Sequence, residues 1–310
     1  MSGLADGRDQ RDAGGRYQQG AGGRDQREAG QPSPRDADRR DRLDAARPGP
    51  WVAVVTGAGT GIGAAVARRL AADGAAVVMV GRRLQPLLDV AAPLGDWALA
   101  LAADAASAAD MAGVVEAARS RFGGVDTLVA NAGGLGSGTA AEIDDESWAD
   151  SLRSNLTTCL VSARSCLPDL VRRRGSVVVI SSIAGLAAAP ESVGYVTSKH
   201  GLIGLARSMA RDFGRLGVRV NTVCPGWVRT PMADDEMDQL ASLRGLADRD
   251  AAYALATAQV PLRRPAEPDE IAAVVAFLAS SDASAVTGAV ITADCGATAV
   301  DLPTTAFEPP

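Results

Sequence analysis

Tyr195 and Lys199 stand four residues apart in the run Gly194-Tyr195-Val196-Thr197-Ser198-Lys199-His200-Gly201, and Ser182 lies thirteen residues before Tyr195. On a helix, a spacing of four puts both side chains on one face with their ends free to converge. A phenol beside an ammonium is an acid–base device. The positive charge favours the phenolate, lowers the tyrosine pKa and lets Tyr195 exchange a proton near neutral pH. Any helix can carry Tyr and Lys at this spacing, so composition has to decide. Lys199 is the only lysine in the chain; all its other basic residues, of 31 in total, are arginines. A site that keeps lysine needs a compact ammonium with a tunable pKa, which arginine does not offer.

The elements that must hold these residues read as strand alternating with helix. Trp51–Thr56 is a short, β-branched apolar run, as expected of a buried parallel strand. Thr56-Gly57-Ala58-Gly59-Thr60-Gly61-Ile62-Gly63 follows, then an alanine-rich helix to about Asp73 and a second apolar run, Ala75–Val80. A strand, glycine turn, helix and strand of this length suit a dinucleotide. The glycines allow close backbone approach, and the helix N-terminus takes a pyrophosphate. The second strand ends in Val80-Gly81-Arg82-Arg83, with no acid to hold ribose hydroxyls. Arg82 can accept a 2′-phosphate instead, so NADP(H) is favoured and NAD(H) stays open; the alternative is that both arginines merely open a solvated helix.

Further strands are expected at Trp97–Ala102, Val125–Ala130, Ser176–Ser181, Val218–Cys224 and Ala289–Ala293, with one long helix from near Asp144 past Asn155 to about Arg172. The helix holding Tyr195 should run to about Leu216. The pattern predicts an α/β fold: a single Rossmann-type, doubly wound parallel sheet of about seven strands, with ligands at the carboxyl ends. Asn131, Ser182 and Pro225-Gly226 all fall at such ends. Residues 231–260 break the rhythm and read as a helical flap over the pocket, the place for substrate discrimination; a surface hairpin without that role is the alternative. Residues 51–300 make the catalytic domain and 301–310 a C-terminal tail. Residues 1–50 carry a repeated Gly-Arg-Asp-Gln-Arg motif and almost no large apolar side chains, and are expected to be disordered.

Composition limits the partners. Net charge is −6 and no basic stripe appears, which argues against nucleic acid. Cys159, Cys166, Cys224 and Cys295 show no CxxC spacing and there is one histidine, so a Cys/His metal site is not expected. Free thiols, the lack of an apolar leader and the lack of a spanning run point to a cytoplasmic chain away from membrane.

Jointly, TGAGTGIG at 56–63, Asp104-Ala105, Asn131-Ala132-Gly133, Asn155, Ser181-Ser182, YVTSK at 195–199 and PGWVRT at 225–230 resemble the short-chain dehydrogenase/reductases, over nearly all of residues 51–300. The resemblance implies residue roles. Tyr195 would be the proton donor or acceptor, Ser182 would hydrogen-bond the substrate oxygen, and Lys199 would tune Tyr195 and hold the nicotinamide ribose. Asn155 would anchor a water that links Lys199 to solvent. Gly57, Thr60, Gly61, Ile62 and Gly63 would face the pyrophosphate, Asp104 the adenine, and Asn131 the adenine-side ribose and central strand. Pro225, Gly226, Val228 and Thr230 would border the nicotinamide. Two departures are Ala130-Asn131 for the usual double asparagine and Asp294-Cys295-Gly296 for a terminal Asp-Gly-Gly.

Within the family, 3-oxoacyl-carrier-protein and polyketide ketoreductases are the nearest in look, through SKHG at 198–201 and VCPG at 223–226. The expected activity is NADP(H)-dependent interconversion of a ketone and a secondary alcohol. The alternatives are an NAD-dependent ring-alcohol dehydrogenase and a non-catalytic dinucleotide sensor. Ile183, Leu186, Val193, Trp227 and the flap's Met237 adjoin the site and suggest a largely apolar or acyl-type substrate. The resemblance also implies a homotetramer or dimer. Arg172-Arg173-Arg174 suits a helix C-terminus, with a dock for an acidic carrier protein as the other reading.

Overall fold

The computed structural model describes residues 50–307. The segment read as disordered therefore lies outside the described residues except for Pro50, as do residues 308–310. Seven strands, β1 (Val52–Thr56), β2 (Ala76–Gly81), β3 (Ala98–Ala102), β4 (Thr127–Ala130), β5 (Ser176–Ile180), β6 (Arg219–Pro225) and β7 (Val290–Ala293), form one sheet in the order β3-β2-β1-β4-β5-β6-β7. Every pairing is parallel. The seven expected strands are all present, each within two residues of its expected ends at either side.

Parallel pairing requires helices on both faces, and the strand sequences allow it because both faces are apolar. In β1, Val52 and Val54 enter one core while Ala53 and Val55 enter the other. In β5, Val177 and Val179 oppose Val178 and Ile180 in the same way. The first core is covered by α3 (Ala108–Phe122), α5 (Thr158–Arg173) and α6 (Val193–Phe213). The second is covered by α1 (Gly61–Ala72), α2 (Leu84–Ala91) and α9 (Pro268–Ala279). The order in which the chain adds strands reverses between β1 and β4, so their carboxyl ends leave a crevice open to a ligand.

Two helices differ from expectation. The long helix from Asp144 is interrupted: α4 (Asp145–Leu152) passes through a π turn, Arg153–Thr157, before α5 begins. The helix holding Tyr195 ends at Phe213, and a 3₁₀ turn carries the chain to Leu216, where Gly217 at φ 88° ends it. Between β6 and α9, α7 (Pro231–Arg244) and α8 (Arg249–Ala256) form the expected helical insert. Among the described residues no helix is long and apolar enough to cross a membrane.

Candidate active site

A cleft of about 620 Å³ opens at the carboxyl ends of β1, β2, β4 and β5. The turn after β1 lines it through Gly57, Thr60, Gly61, Ile62 and Gly63. A Cβ on Gly63 would lie 2.1 Å from the Gly57 carbonyl oxygen, so only glycine lets α1 start this close to the strand. Gly61, at φ 52°, makes the left-handed step into the helix. No side chain caps α1, and its first turn holds no acid. α2 likewise begins at Arg83 without a side-chain cap or an acid. By contrast α3, α4, α7 and α8 are capped by Ser107, Asp144, Thr230 and Asp248. The bare N-termini both face the cleft and leave their N–H groups for an anion.

Asn131, just beyond β4, braces this turn. Its Nδ2 donates to the carbonyls of Thr56 (3.0 Å) and Gly57 (3.2 Å), and its backbone N–H donates to Thr56 Oγ1 at 3.0 Å. Arg82 lies exposed on the cleft wall, and neither Arg82 nor Arg83 has an ion-pair partner among the described residues. Asp104, on the same wall, accepts from the Ala106 N–H at 2.8 Å and pairs with Arg153 at 2.7 Å. Burial would raise its carboxyl. The hydrogen bonds from Ala106 and Arg153, with the charges of Arg153 and Arg82, outweigh that and hold it below the usual range. The Arg153 partner has no signature in the sequence, because the π turn decides which way Arg153 points.

Tyr195 and Lys199 meet on α6 as their spacing predicts. Lys199 Nζ lies 5.3 Å from the centroid of the Tyr195 ring and donates to the Ile180 carbonyl at 3.3 Å. Lys199 is buried, and burial lowers its pKa to about 8. The expectation that this ammonium lowers the Tyr195 pKa is not met. Burial raises the phenol above its ordinary value, a hydrogen bond with Ser182 only partly offsets that, and the Glu236 carboxylate raises it further. In the ligand-free site the depth of burial therefore decides the direction of the shift.

Asn155 is fully buried within the π turn, a departure from α-helical geometry that often marks functional sites. Its Nδ2 donates to the Ser151 carbonyl (3.0 Å), and its Oδ1 accepts the Gly134 N–H at 3.1 Å. That fixes the amide beside Gly133, over which Lys199 Nζ also lies. Ser182 follows β5. Its Oγ accepts the Ala184 N–H at 3.1 Å, which leaves the hydroxyl hydrogen to be donated. Ser181 Oγ donates to the Lys199 carbonyl at 2.8 Å and so ties the end of β5 to α6.

Thr230 lines the cleft with Pro231 and Met232, whereas Pro225, Gly226 and Val228 do not line it. Pro225 ends β6, Gly226 lies against Asp294, and Val228 is a bridge partner of Ala266. Ile183, Val193 and Leu186 sit at the Ser182 and Tyr195 side, the first two half-buried and Leu186 43% exposed. Met237, expected on the substrate wall, is a correction. It is 2% exposed and packs with Ala233, Ala241, Ala252 and Tyr253 inside the α7–α8 hairpin, with Trp227 against the same cluster. The apolar positions 233, 237 and 241 recur every four residues from the Thr230-Pro231 start, a signal that phases the helix with that seam turned towards α8. The arginine run at 172–174 is also not a free basic dock. Arg172 and Arg173 pair with the buried Asp169 and Asp126.

Comparison with known proteins agrees with this geometry. The family profile described as enoyl-(acyl carrier protein) reductase matches residues 57–298. The MoaE protein of Klebsiella aerogenes is 44% identical over 256 residues, 83% of this chain and 98% of that protein. Ketoacyl reductase 1 of the granaticin polyketide synthase, from Streptomyces violaceoruber, is 39% identical, covering 76% of this chain and 89% of that one. The crystal structure of a point variant of actinorhodin polyketide ketoreductase with NADPH superposes at a TM-score of 0.75 with 34% identity, over 79% of this chain and 96% of that one. A family profile covering most of the described chain, and relatives matched over nearly their whole length, leave one assignment: the chain belongs to the short-chain dehydrogenase/reductase family, oxidoreductases acting on CH–OH groups.

Proposed function

We propose that the chain is an NADP(H)-dependent reductase of a ketone, working reversibly on the matching secondary alcohol. The observation that carries this reading is the pairing of Tyr195 with Lys199 in a cleft continuous with the bare N-termini of α1 and α2. The site fits a dinucleotide 2′-phosphate. The glycine turn has no room for a Cβ at Gly63, and the unpartnered guanidinium of Arg82 stands where β2 ends without an acid. When bound, NADP(H) supplies or accepts the hydride.

The chain's own residues manage the proton and the charge. Tyr195, held protonated by burial, gives its proton to the carbonyl oxygen as that oxygen becomes negative. Ser182 turns its hydroxyl hydrogen to the same oxygen, and the Lys199 ammonium stabilises the phenolate left behind. Asn155 holds the Gly133-Gly134 backbone in place and, in this reading, anchors the water that relays protons to Lys199. A largely apolar or acyl-type substrate is supported by the exposed Leu186 in the segment between Ser182 and Tyr195, and by the names of the granaticin and actinorhodin relatives. A homo-oligomer in the cytoplasm completes the proposal, supported by the exposed Leu160 on α5 and by four unpaired cysteines. The test is a screen of ketones and secondary alcohols with NADPH, NADP+, NADH and NAD+. Turnover of ketones with NADPH at least about ten times better than with NADH is expected; an exclusive preference for NAD+ with alcohols would reject it.

A further inference from the structure

Asp104 and Arg153 are 49 residues apart in sequence and meet on the wall of the cleft, Asp104 just beyond β3 and Arg153 at the start of the π turn. Arg153 Nη2 donates to Asp104 Oδ2 at 2.7 Å. The other carboxylate oxygen accepts the Ala106 N–H at 2.8 Å, and the Asp104 backbone N–H donates to Asp110 Oδ2 at 2.8 Å. Asp104 is thus a fixed post that holds the guanidinium in one orientation. Stability gives little reason for the pair. Its side chains are 51% and 28% exposed, and ion pairs this open to water contribute little. The same π turn buries Asn155, so one local departure supplies a residue to each end of the cleft.

Arg82, Arg83 and Arg153 all line this cleft, but they offer a ligand different things. Arg82 and Arg83 have no ion-pair partner among the described residues and keep their charge for a phosphate. Arg153 has its charge matched by Asp104. What it still offers is the flat face of a guanidinium, which stacks on aromatic rings and on bases. It stands beside the residue that the family resemblance assigns to the adenine. We propose that Arg153 is a cofactor-binding residue that closes the adenine end of the cleft, its guanidinium plane held by Asp104 against the purine. The inference rests on the dinucleotide reading of the cleft and deepens it. Recognition of the base, common to NADPH and NADH, falls to Arg153, and recognition of the 2′-phosphate falls to the unpaired arginines at the end of β2.

The test is fluorescence titration of the full chain with NADPH, NADH and reduced nicotinamide mononucleotide, which has no adenosine, together with competition by 5′-AMP. Arg153→Met keeps an apolar stem and removes the plane. It should raise the Kd of NADPH and of NADH by the same factor, about tenfold, and weaken competition by 5′-AMP to match. The Kd of reduced nicotinamide mononucleotide should stay within about twofold. Arg153→Lys keeps a charge beside Asp104 but lacks the plane, so it should show the same parallel loss, by about threefold or more. A loss for NADPH alone would make Arg153 a phosphate residue and overturn the assignment. Unchanged affinities in either variant also overturn it, as does an equal loss for reduced nicotinamide mononucleotide, which marks general damage to the cleft. A wild-type chain that binds neither dinucleotide overturns the underlying reading and this inference with it.

Discussion

The two ends of the cleft are built by different means. At the β1–α1 end, recognition is prepared by backbone: a turn where Gly63 cannot bear a Cβ, and helix starts at Thr60 and Arg83 left without side-chain caps. At the flap end, α7 starts on the Thr230 cap, α8 on the Asp248 cap, and charges pair side chain to side chain through Arg229 and Arg249. A backbone cradle tolerates one ligand shape and suits an invariant cofactor. A surface made of side chains can be changed one residue at a time without disturbing the sheet. On the proposed reading, constancy belongs to the first end and choice of substrate to the second.

Substitutions at each end should separate these roles. Lys199→Met should lower kcat about 10²–10³-fold, since a charge that stabilises a developing anion is lost. In the wild type, kcat/KM for ketone reduction should fall above about pH 8, where Lys199 loses its proton. The same burial has a stability signature. The folded pKa, about 8, is below the unfolded one, so the unfolded chain binds more protons in between and stability should rise with pH from about 8 to 10.5. Lys199→Met should flatten that rise and stabilise the ligand-free protein by up to about 3 kcal/mol at pH 7; thermal melts at several pH values measure both.

Gly63→Ala is next. The added Cβ meets the Gly57 carbonyl oxygen, so α1 must move and stability should fall by about 1–3 kcal/mol. NADPH affinity, read by fluorescence titration, should weaken with it. Unchanged affinity would break the contrast by showing that the turn is not what holds the cofactor. Arg82→Ala should raise the NADPH Kd about tenfold and leave that of NADH within twofold, as removal of one charge-assisted contact to a phosphate requires. Met237→Ala should have the smallest effect on the cofactor. It opens a void in the hairpin, costs that element about 2 kcal/mol and raises the ketone KM while the NADPH Kd stays the same.

The contrast also explains what could be read from sequence. The glycine turn and the Tyr195–Lys199 pair depend on spacings within one turn or one helix, and such spacings survive in the sequence as written. The strands were legible for a similar reason: β1 and β5 are apolar on both faces. The π turn that sets Asn155 and directs Arg153 to Asp104 has no comparable signature, being one extra residue in an otherwise helical run. The direction of the Tyr195 shift needed the depth of its burial, which the spacing to Lys199 cannot give. Met237 reads from the sequence as a cleft residue, and only the phase of α7, set from Thr230-Pro231, tells that it turns into the hairpin instead.

The central claim is that the Tyr195 phenol, at the mouth of a dinucleotide cleft, completes reduction of a carbonyl. The most direct test is to supply NADPH deuterated at the transferable position with a ketone substrate and locate the label by mass spectrometry. Wild-type protein should place one deuterium on the carbinol carbon. Tyr195→Phe should bind NADPH with a Kd within about twofold of wild type yet transfer label about 10³-fold more slowly. Label transfer by Tyr195→Phe at the wild-type rate would contradict the account.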